Sequence, residues 1–444
     1  MLSIRCTLCH SVNNTTYTLR AKRPHSARRS LMCTDSLDFD LPSVLLVAKD
    51  NVQRRMANKR STDPPIPPEP AEYGGEVKYL SQSNVDVPTH QLVTPDGTYE
   101  KDAIPALDPE SFRDLYRWMV TSRVFNRRMV QMQRRGELGT FGSNRGQEAS
   151  IVGSAYTLQP DDWMFLGRAW TAMFIRGVSM TDMILFWRGL EAAQRSFAEH
   201  NSQIAISIGS HLPLATGTAW GIDIEGEDTV SMAYFGDGAT STGGTHEALN
   251  LAGALELPVL FFCQNNQYAI SMPFSKQTKA TTIAQKALAY GIDAIRVDGQ
   301  DVLAVYDAVA NAREHVRRGE PVFVESVTYR LDAHTTSDDP TRYRDEEEEA
   351  AWEENDPIER YQSFLEAEDL WSGIDHDAVV AEAEDEFDAA LRTANEFEER
   401  SIDDVFRYVY EKLPPELQRQ LAEYKALLEE RPEMYDYIEQ RPKG

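Results

Sequence analysis

The chain has 444 residues, 41% of them hydrophobic, and a formal net charge of −26 at pH 7 from 71 Asp and Glu against 45 Lys and Arg. That length accommodates one large domain with appended helices, while the charge argues against a nucleic-acid partner and the want of any run of about 18 apolar residues argues against a membrane span. The cations are mostly Arg, and strong acidity with few lysines resembles proteins of a highly saline cytoplasm, where salt screens the repulsion between surface carboxylates.

The first 55 residues differ in character, with nine Lys or Arg against four Asp and three of the four cysteines, Cys6, Cys9 and Cys33. Cys6-Thr7-Leu8-Cys9-His10 has the spacing of half a metal site, but no second ligand pair of regular spacing follows. An Arg- and Ser-containing, acid-poor start also fits a transit peptide, whereas the change of character near residue 55 favours a start at Met56. Pro64, Pro65, Pro67, Pro68 and Pro70 make a stiff lead-in, so residues 1–75 read as an extension. Cys263 stands alone in the rest of the chain inside an apolar run, so no disulfide framework is expected there and a reducing cytoplasm fits.

A helix is predicted over 109–135 from the spacing of Phe112, Leu115, Tyr116, Met119, Val120, Val124, Met129 and Met132, ended by Gly136, Gly139 and Gly142. Strands are expected at 163–166, 204–208, 229–235, 259–263, 294–297 and 322–327, with helices between them such as 302–317. This alternation predicts an α/β fold, a doubly wound and mostly parallel sheet over 76–345. Residues 346–444 read as an acidic helical region ending in one long helical segment, 402–437.

The most informative stretch runs from Phe235-Gly236-Asp237-Gly238-Ala239 to Cys263-Gln264-Asn265-Asn266-Gln267-Tyr268. The spacing between them changes to a helical one, with Ala248, Leu249, Leu251, Ala252 and Leu255 on a face, before Pro258 opens the next strand. Asp237 and Asn266 therefore both fall just past strand ends, where parallel sheets bind ligands. Asp237, the side-chain oxygen of Asn266 and the backbone carbonyl of Tyr268 offer three oxygen ligands to a hard cation such as Mg²⁺, whose octahedron phosphate oxygens and water complete. The backbone N–H groups of Gly238 and Ala239 and the start of the following helix suit the phosphates. A lone Gly-Asp-Gly is ordinarily only a turn; in this order, across a strand–helix–strand unit, the pattern points to a metal-bridged diphosphate.

Gly236-Asp237-Gly238 followed by Asn265-Asn266 resembles the thiamine diphosphate fingerprint. Through Glu247-Ala248-Leu249-Asn250, Leu257-Pro258 and Tyr268-Ala269-Ile270-Ser271 the chain is similar to the α subunit of the E1 component of 2-oxo acid dehydrogenase complexes, over about residues 100–400. The resemblance implies the thiamine diphosphate-binding fold with thiamine diphosphate and Mg²⁺ as cofactors, and decarboxylation of a small 2-oxo acid with reductive acylation of a lipoyl-bearing E2. One such α/β unit is visible here, so a β chain is expected to complete the site, in an α₂β₂ assembly, and to bring further catalytic groups. Other two-chain thiamine enzymes, acetoin dehydrogenase or a 2-oxo acid:ferredoxin oxidoreductase, and a non-catalytic scaffold are the alternatives.

The same resemblance assigns further residues. His334, in Tyr329-Arg330-Leu331-Asp332-Ala333-His334-Thr335-Thr336-Ser337-Asp338-Asp339, matches the His that lines the channel to the cofactor and assists acyl transfer. Thr335 matches a position that mitochondrial relatives phosphorylate, where added charge would oppose an anionic substrate. Arg168 matches the arginine that clamps the diphosphate, a bidentate task suited to guanidinium. In place of the family's usual Tyr before that Arg and His-Gly after it, this chain has Gly167 and Trp170-Thr171. Gln264 stands where some relatives have a basic group. Ile206-Ser207-Ile208-Gly209-Ser210-His211-Leu212-Pro213 matches the segment under the rings of the cofactor, read also as a buried strand and turn, with Ile208 as the wedge that keeps the cofactor bent. Residues 192–201 replace a Gly-Gly-Ser-Met-His segment of the family. Phe141, in Phe141-Gly142-Ser143-Asn144-Arg145-Gly146-Gln147-Glu148-Ala149, suits either the pocket or the core.

Overall fold

The computed structural model describes residues 2–4, 17–19, 85 and 87–433, apart from 191–192, 195–196, 198–199, 203, 336, 373, 398–401 and 408. The chain divides into two units, Met1–Gly75 and Glu76–Gly444. In the first, the described residues form a short antiparallel pair, Leu2–Ile4 with Tyr17–Leu19. The three cysteines of the N-terminal segment, its proline-rich stretch and Met56 lie outside the described residues.

The second unit is built on six parallel strands: β1 (Thr89–His90), β2 (Trp163–Leu166), β3 (Ser231–Gly236), β4 (Val259–Asn265), β5 (Asp293–Asp298) and β6 (Val322–Val327). Their order across the sheet is β1-β5-β6-β4-β3-β2. Successive strand residues point to opposite faces, and both faces are covered. Met232, Tyr234, Leu260 and Phe262 join one core cluster with Phe125, Met129, Val305, Val309 and Phe387. Ala233, Phe235, Val259, Phe261 and Cys263 join another with Leu212, Ala215, Ala248, Leu249 and Ala252. Strands buried on both sides are apolar over most of their length, which is why 232–235 in β3 and 259–263 in β4 read as unbroken apolar runs.

Among the described residues the helices of eight residues or more are α1 (Pro109–Arg134), α2 (Glu148–Ala155), α3 (Met180–Trp187), α4 (Leu212–Glu225), α5 (Gly243–Leu255), α6 (Val302–Val316), α7 (Glu346–Glu353), α8 (Pro357–Ala367), α9 (His376–Glu396) and α10 (Pro415–Glu430). Asp108 caps α1 by accepting from Glu110 N and Ser111 N, with Pro109 at the first helical position, a combination that fixes a helix start. Helix α8 packs with α1 through Phe112, Tyr361 and Phe364.

Three sequence expectations are corrected. Residues 204–208 form no strand and, past the buried Ile204, run out toward solvent: only Ala205 N reaches β2, at Leu166 O and 2.8 Å, while Ile206 and Ile208 are 68% and 61% exposed. The expected long segment 402–437 is interrupted: Ile402–Arg407 is followed by a break before α10, which starts at Pro415, and the residues beyond 433 lie outside the described set. Pro414-Pro415 explains the break, since proline holds the residue before it out of the helical region. Leu251 is exposed on α5 rather than on its buried face.

Candidate active site

Strands β2, β3, β4 and β6 are adjacent in the sheet, so the loops leaving their carboxyl ends converge. After β3 the chain tightens into a 3₁₀ turn, Asp237–Ser241, before α5. Thr240 Oγ1 donates to Asp237 O at 2.8 Å, and Thr242 and Thr245 both donate to Ala239 O, at 2.8 and 2.7 Å. Gly238 has no room for a side chain: a Cβ there would stand 2.8 Å from Ala269 Cβ.

After β4, Asn266 is followed by a tight hairpin of Tyr268–Ala269 with Met272–Pro273. Gln267 and Ile270 take the left-handed region with φ of 72° and 58°, and so does Ala169 after β2, at 63°. Such backbone costs on the order of 1–3 kcal/mol per residue and concentrates at functional loops. The turn leaves Asn266 1% exposed, with Nδ2 donating to Gln147 Oε1 at 3.1 Å and Oδ1 accepting a long bond from Tyr268 N at 3.4 Å.

These loops enclose a cavity of about 390 Å³. Arg168, Ile208, Asp237, Gly238, Ala239, Asn266, Tyr268 and His334 all line it, together with Thr335. Phe141 does not; it packs edge-on against Trp187 in the core. Gln264 is fully buried within β4 and donates weakly to Ser150 Oγ at 3.4 Å.

The electrostatics of the cavity are dominated by two guanidinium groups. Arg168 Nη2 makes one long bond to Ser143 O, at 3.4 Å, and its buried Nε has no partner. Burial, and then the Arg330 charge, lower its pKa to about 10, which leaves it charged at neutral pH. Asp237 is 1% exposed and takes a hydrogen bond from Gln277 Nε2. Burial raises its pKa while that bond and Arg168 pull it back. His334 stands against Arg330 Nη1, 3.3 Å from its Nδ1. A guanidinium can only donate, so Nδ1 accepts and the proton of the neutral ring sits on Nε2. Burial, with the charges of Arg168 and Arg330, pushes the His334 pKa down to about 4, so the ring is neutral at pH 7.

Sequence reasoning missed Arg330, the hub of this arrangement. It is fully buried and donates to Tyr268 O (3.4 Å), Ile270 O (2.8 Å), Asp332 O (3.2 Å) and Tyr343 Oη (3.2 Å). It thus ties the β4 hairpin to the loop that carries His334. Its place just past β6 was the available signal. His211, Trp170, Trp187 and Thr140 also line the cavity; the resemblance covered the segments of His211 and Trp170 without giving either a role, and nothing in the local sequence marks Trp187 or Thr140.

Comparison with known proteins identifies the family. Residues 116–403 match the family described as "Dehydrogenase E1 component". The 3-methyl-2-oxobutanoate dehydrogenase subunit alpha of Mycobacterium tuberculosis is 42% identical over 357 residues, covering 78% of this chain and 95% of the relative. The pyruvate dehydrogenase E1 component subunit alpha of Staphylococcus epidermidis is 38% identical over 355 residues, 79% and 96% of the two chains. That of Staphylococcus aureus is 37% identical over the same length. The site at the carboxyl ends of β2, β3, β4 and β6 and these matches lead to one conclusion: the chain belongs to the dehydrogenase E1 component family.

Proposed function

We propose that this chain is the α subunit of a thiamine diphosphate- and Mg²⁺-dependent E1 component that decarboxylates a short 2-oxo acid and transfers the acyl group to lipoate on an E2 partner. It would do so with a β chain in an α₂β₂ assembly. What carries the reading is one observation: eight residues drawn from five separate segments of the sequence line a single cavity. The names of the relatives support pyruvate or a branched-chain 2-oxo acid as substrate. Among the described residues no helix is long and apolar enough to cross a membrane, and the buried free thiol of Cys263 suits a cytoplasmic setting, one of high salinity on the charge argument.

The residues present fit the cofactor. Asp237, Asn266 Oδ1 and Tyr268 O form an all-oxygen donor set suited to a hard cation. Arg168 supplies an unpartnered buried N–H and a charge for the diphosphate. Exposed Ile208 offers an apolar support at the cavity wall. Thiamine diphosphate, when bound, supplies the electron sink for loss of CO₂. Around it this chain binds and orients. Gln277 holds Asp237 by a hydrogen bond while the charge of Arg168 favours its carboxylate form, and Arg330 holds Tyr268 O and fixes His334 as a neutral ring with its proton on Nε2, where it can donate to an incoming acceptor.

Isothermal titration of Mg²⁺ and thiamine diphosphate into the α–β complex tests the reading. Saturable binding by the native complex, abolished by Asp237→Ala in a complex that still assembles, is expected. Absence of binding by the native complex sinks it.

A further inference from the structure

Two charged side chains that touch neither the proposed metal nor the cavity stand directly behind the metal loops. Glu325, in the middle of β6, is 1% exposed. Its Oε1 accepts from Asn265 Nδ2 at 2.7 Å and its Oε2 from Ala284 N at 2.9 Å, with Arg296 Nε 3.8 Å from Oε2. Asn265 in turn accepts at Oδ1 from Gln267 N, 3.3 Å away, across the left-handed turn that carries Asn266 and Tyr268. Ala284 opens a 3₁₀ turn, Ala284–Tyr290, and Lys286 lies on it. The partly buried Lys286 Nζ donates to Thr240 Oγ1 at 2.9 Å, and Thr240 Oγ1 donates to Asp237 O at 2.8 Å.

One short turn is therefore hydrogen-bonded to both ligand-bearing loops: through Lys286 to the Asp237 loop, and through Glu325 to the Asn266–Tyr268 loop. We infer that Glu325, Lys286 and the turn they share form a clamp that fixes the separation of the two loops and so selects Mg²⁺ over a larger cation. The inference rests on the thiamine diphosphate and Mg²⁺ reading above. Burying a carboxylate costs several kcal/mol unless it is well bonded, so packing alone is a poor reason for a Glu in this strand. The bonding is also specific to a carboxylate: two N–H donors face Glu325, and Gln would turn its own N–H toward one of them. Glu325 and Lys286 are positioning residues, since neither touches the reacting groups.

Mg²⁺ demands a near-ideal octahedron, whereas Ca²⁺ accepts six to eight oxygens in a looser shell. Loosening the loop separation must therefore affect the two ions unequally, while a general loss of stability must affect them alike. Lys286→Met and Glu325→Gln are made in the α–β complex, and Mg²⁺ and Ca²⁺ are each titrated calorimetrically at saturating thiamine diphosphate. Each variant is expected to weaken Mg²⁺ binding about tenfold and Ca²⁺ binding less than about threefold, with Lys286→Arg, which keeps the donor, restoring the native ratio. Unchanged Mg²⁺ affinity, or equal losses for both ions, overturns the clamp. If Glu325→Gln does not assemble, the Lys286 pair decides alone. If the native complex binds thiamine diphosphate with neither ion, the parent reading of the site has failed and the clamp falls with it; native binding with unaltered variants removes the clamp only.

Discussion

At the scale of the residue, His211 shows how a side chain inside a segment the resemblance covers can have a role that only the structure makes legible. It precedes α4, is 2% exposed, and its Nε2 lies 2.8 Å from Tyr234 O. A carbonyl only accepts, so Nε2 carries the proton, and the buried Nδ1 is left without a partner. The ring fits because residue 167 is Gly: a Cβ there would lie 2.3 Å from His211 Cε1. Burial lowers the His211 pKa from its ordinary 6.5 to about 4, against a smaller opposing effect of the Tyr234 carbonyl. The sign follows from linkage: between pH 6.5 and 4 the unfolded chain binds a proton that the folded chain refuses. The stability present above pH 6.5 is thus lost as the pH falls toward 4, on the order of 3 kcal/mol from this residue. His211→Gln keeps an N–H for Tyr234 O and does not titrate. Its thermal midpoint, compared with that of the native α–β complex at pH 7 and pH 4.5, is expected to fall less on acidification; parallel losses would refute the assignment. Asp237 and Asn266 were legible because two local patterns, each ordinary alone, recur in a fixed order around a strand–helix–strand unit. Arg330 and His211 were not, because their roles come from contacts with Ile270 and Tyr234, remote in sequence.

Among the elements, the parallel strands were legible because burial on both faces favours apolar runs, as over 232–235 in β3 and 259–263 in β4, whereas Glu325 and Ser326 interrupt the run in β6. Residues 204–208 carry the same signal for a different reason. Ile206 and Ile208 are apolar and exposed at a cavity wall, and periodicity does not distinguish a side chain facing the core from one facing a ligand or partner chain. The closeness of helices was not legible either. In α5, a Cβ on Gly253 would lie 2.1 Å from Tyr290 O, at the end of the turn that bears Lys286. In α2, a Cβ on Gly153 would lie 2.6 Å from Val302 O. Helix propensity favours Ala over Gly by about 1 kcal/mol. The clash is with backbone, which cannot swing aside as a side-chain tip can, and overpacking of this kind costs about 1–3 kcal/mol. The clash wins, so Gly253→Ala is expected to destabilise the protein by about 1–2 kcal/mol net in chemical denaturation. A gain in stability would show that α5 and the turn are not held in this close contact.

Across the whole molecule the charge balance sets a competition that salt can resolve. On one side are surface ion pairs: Arg128 with Glu384 and Asp388, Arg317 with Asp228, Lys101 with Glu368. Exposed pairs of this kind are worth about 0–1 kcal/mol each and weaken as salt rises. On the other side is the repulsion of an uncompensated charge of −26. It is concentrated in segments such as Glu346–Glu353 at α7 and the Glu- and Asp-rich outer face of α9. Within α9 the repulsion is local: burial first, and then the Glu382 charge one turn away, raise the pKa of Glu386. Like charges so placed are destabilising. The Debye length shrinks from about 30 Å at 0.01 M salt to about 3 Å at 1 M, so in dilute buffer every carboxylate feels many others and in strong salt few. A handful of weak pairs cannot outweigh that imbalance, and the thermal midpoint is expected to climb as KCl is raised from dilute buffer to molar concentrations, with loss of structure on dialysis to low salt. Circular dichroism melts across a KCl series measure this directly. A midpoint that falls steadily with KCl would mean that the ion pairs dominate and that the acidic surface is no adaptation to salt.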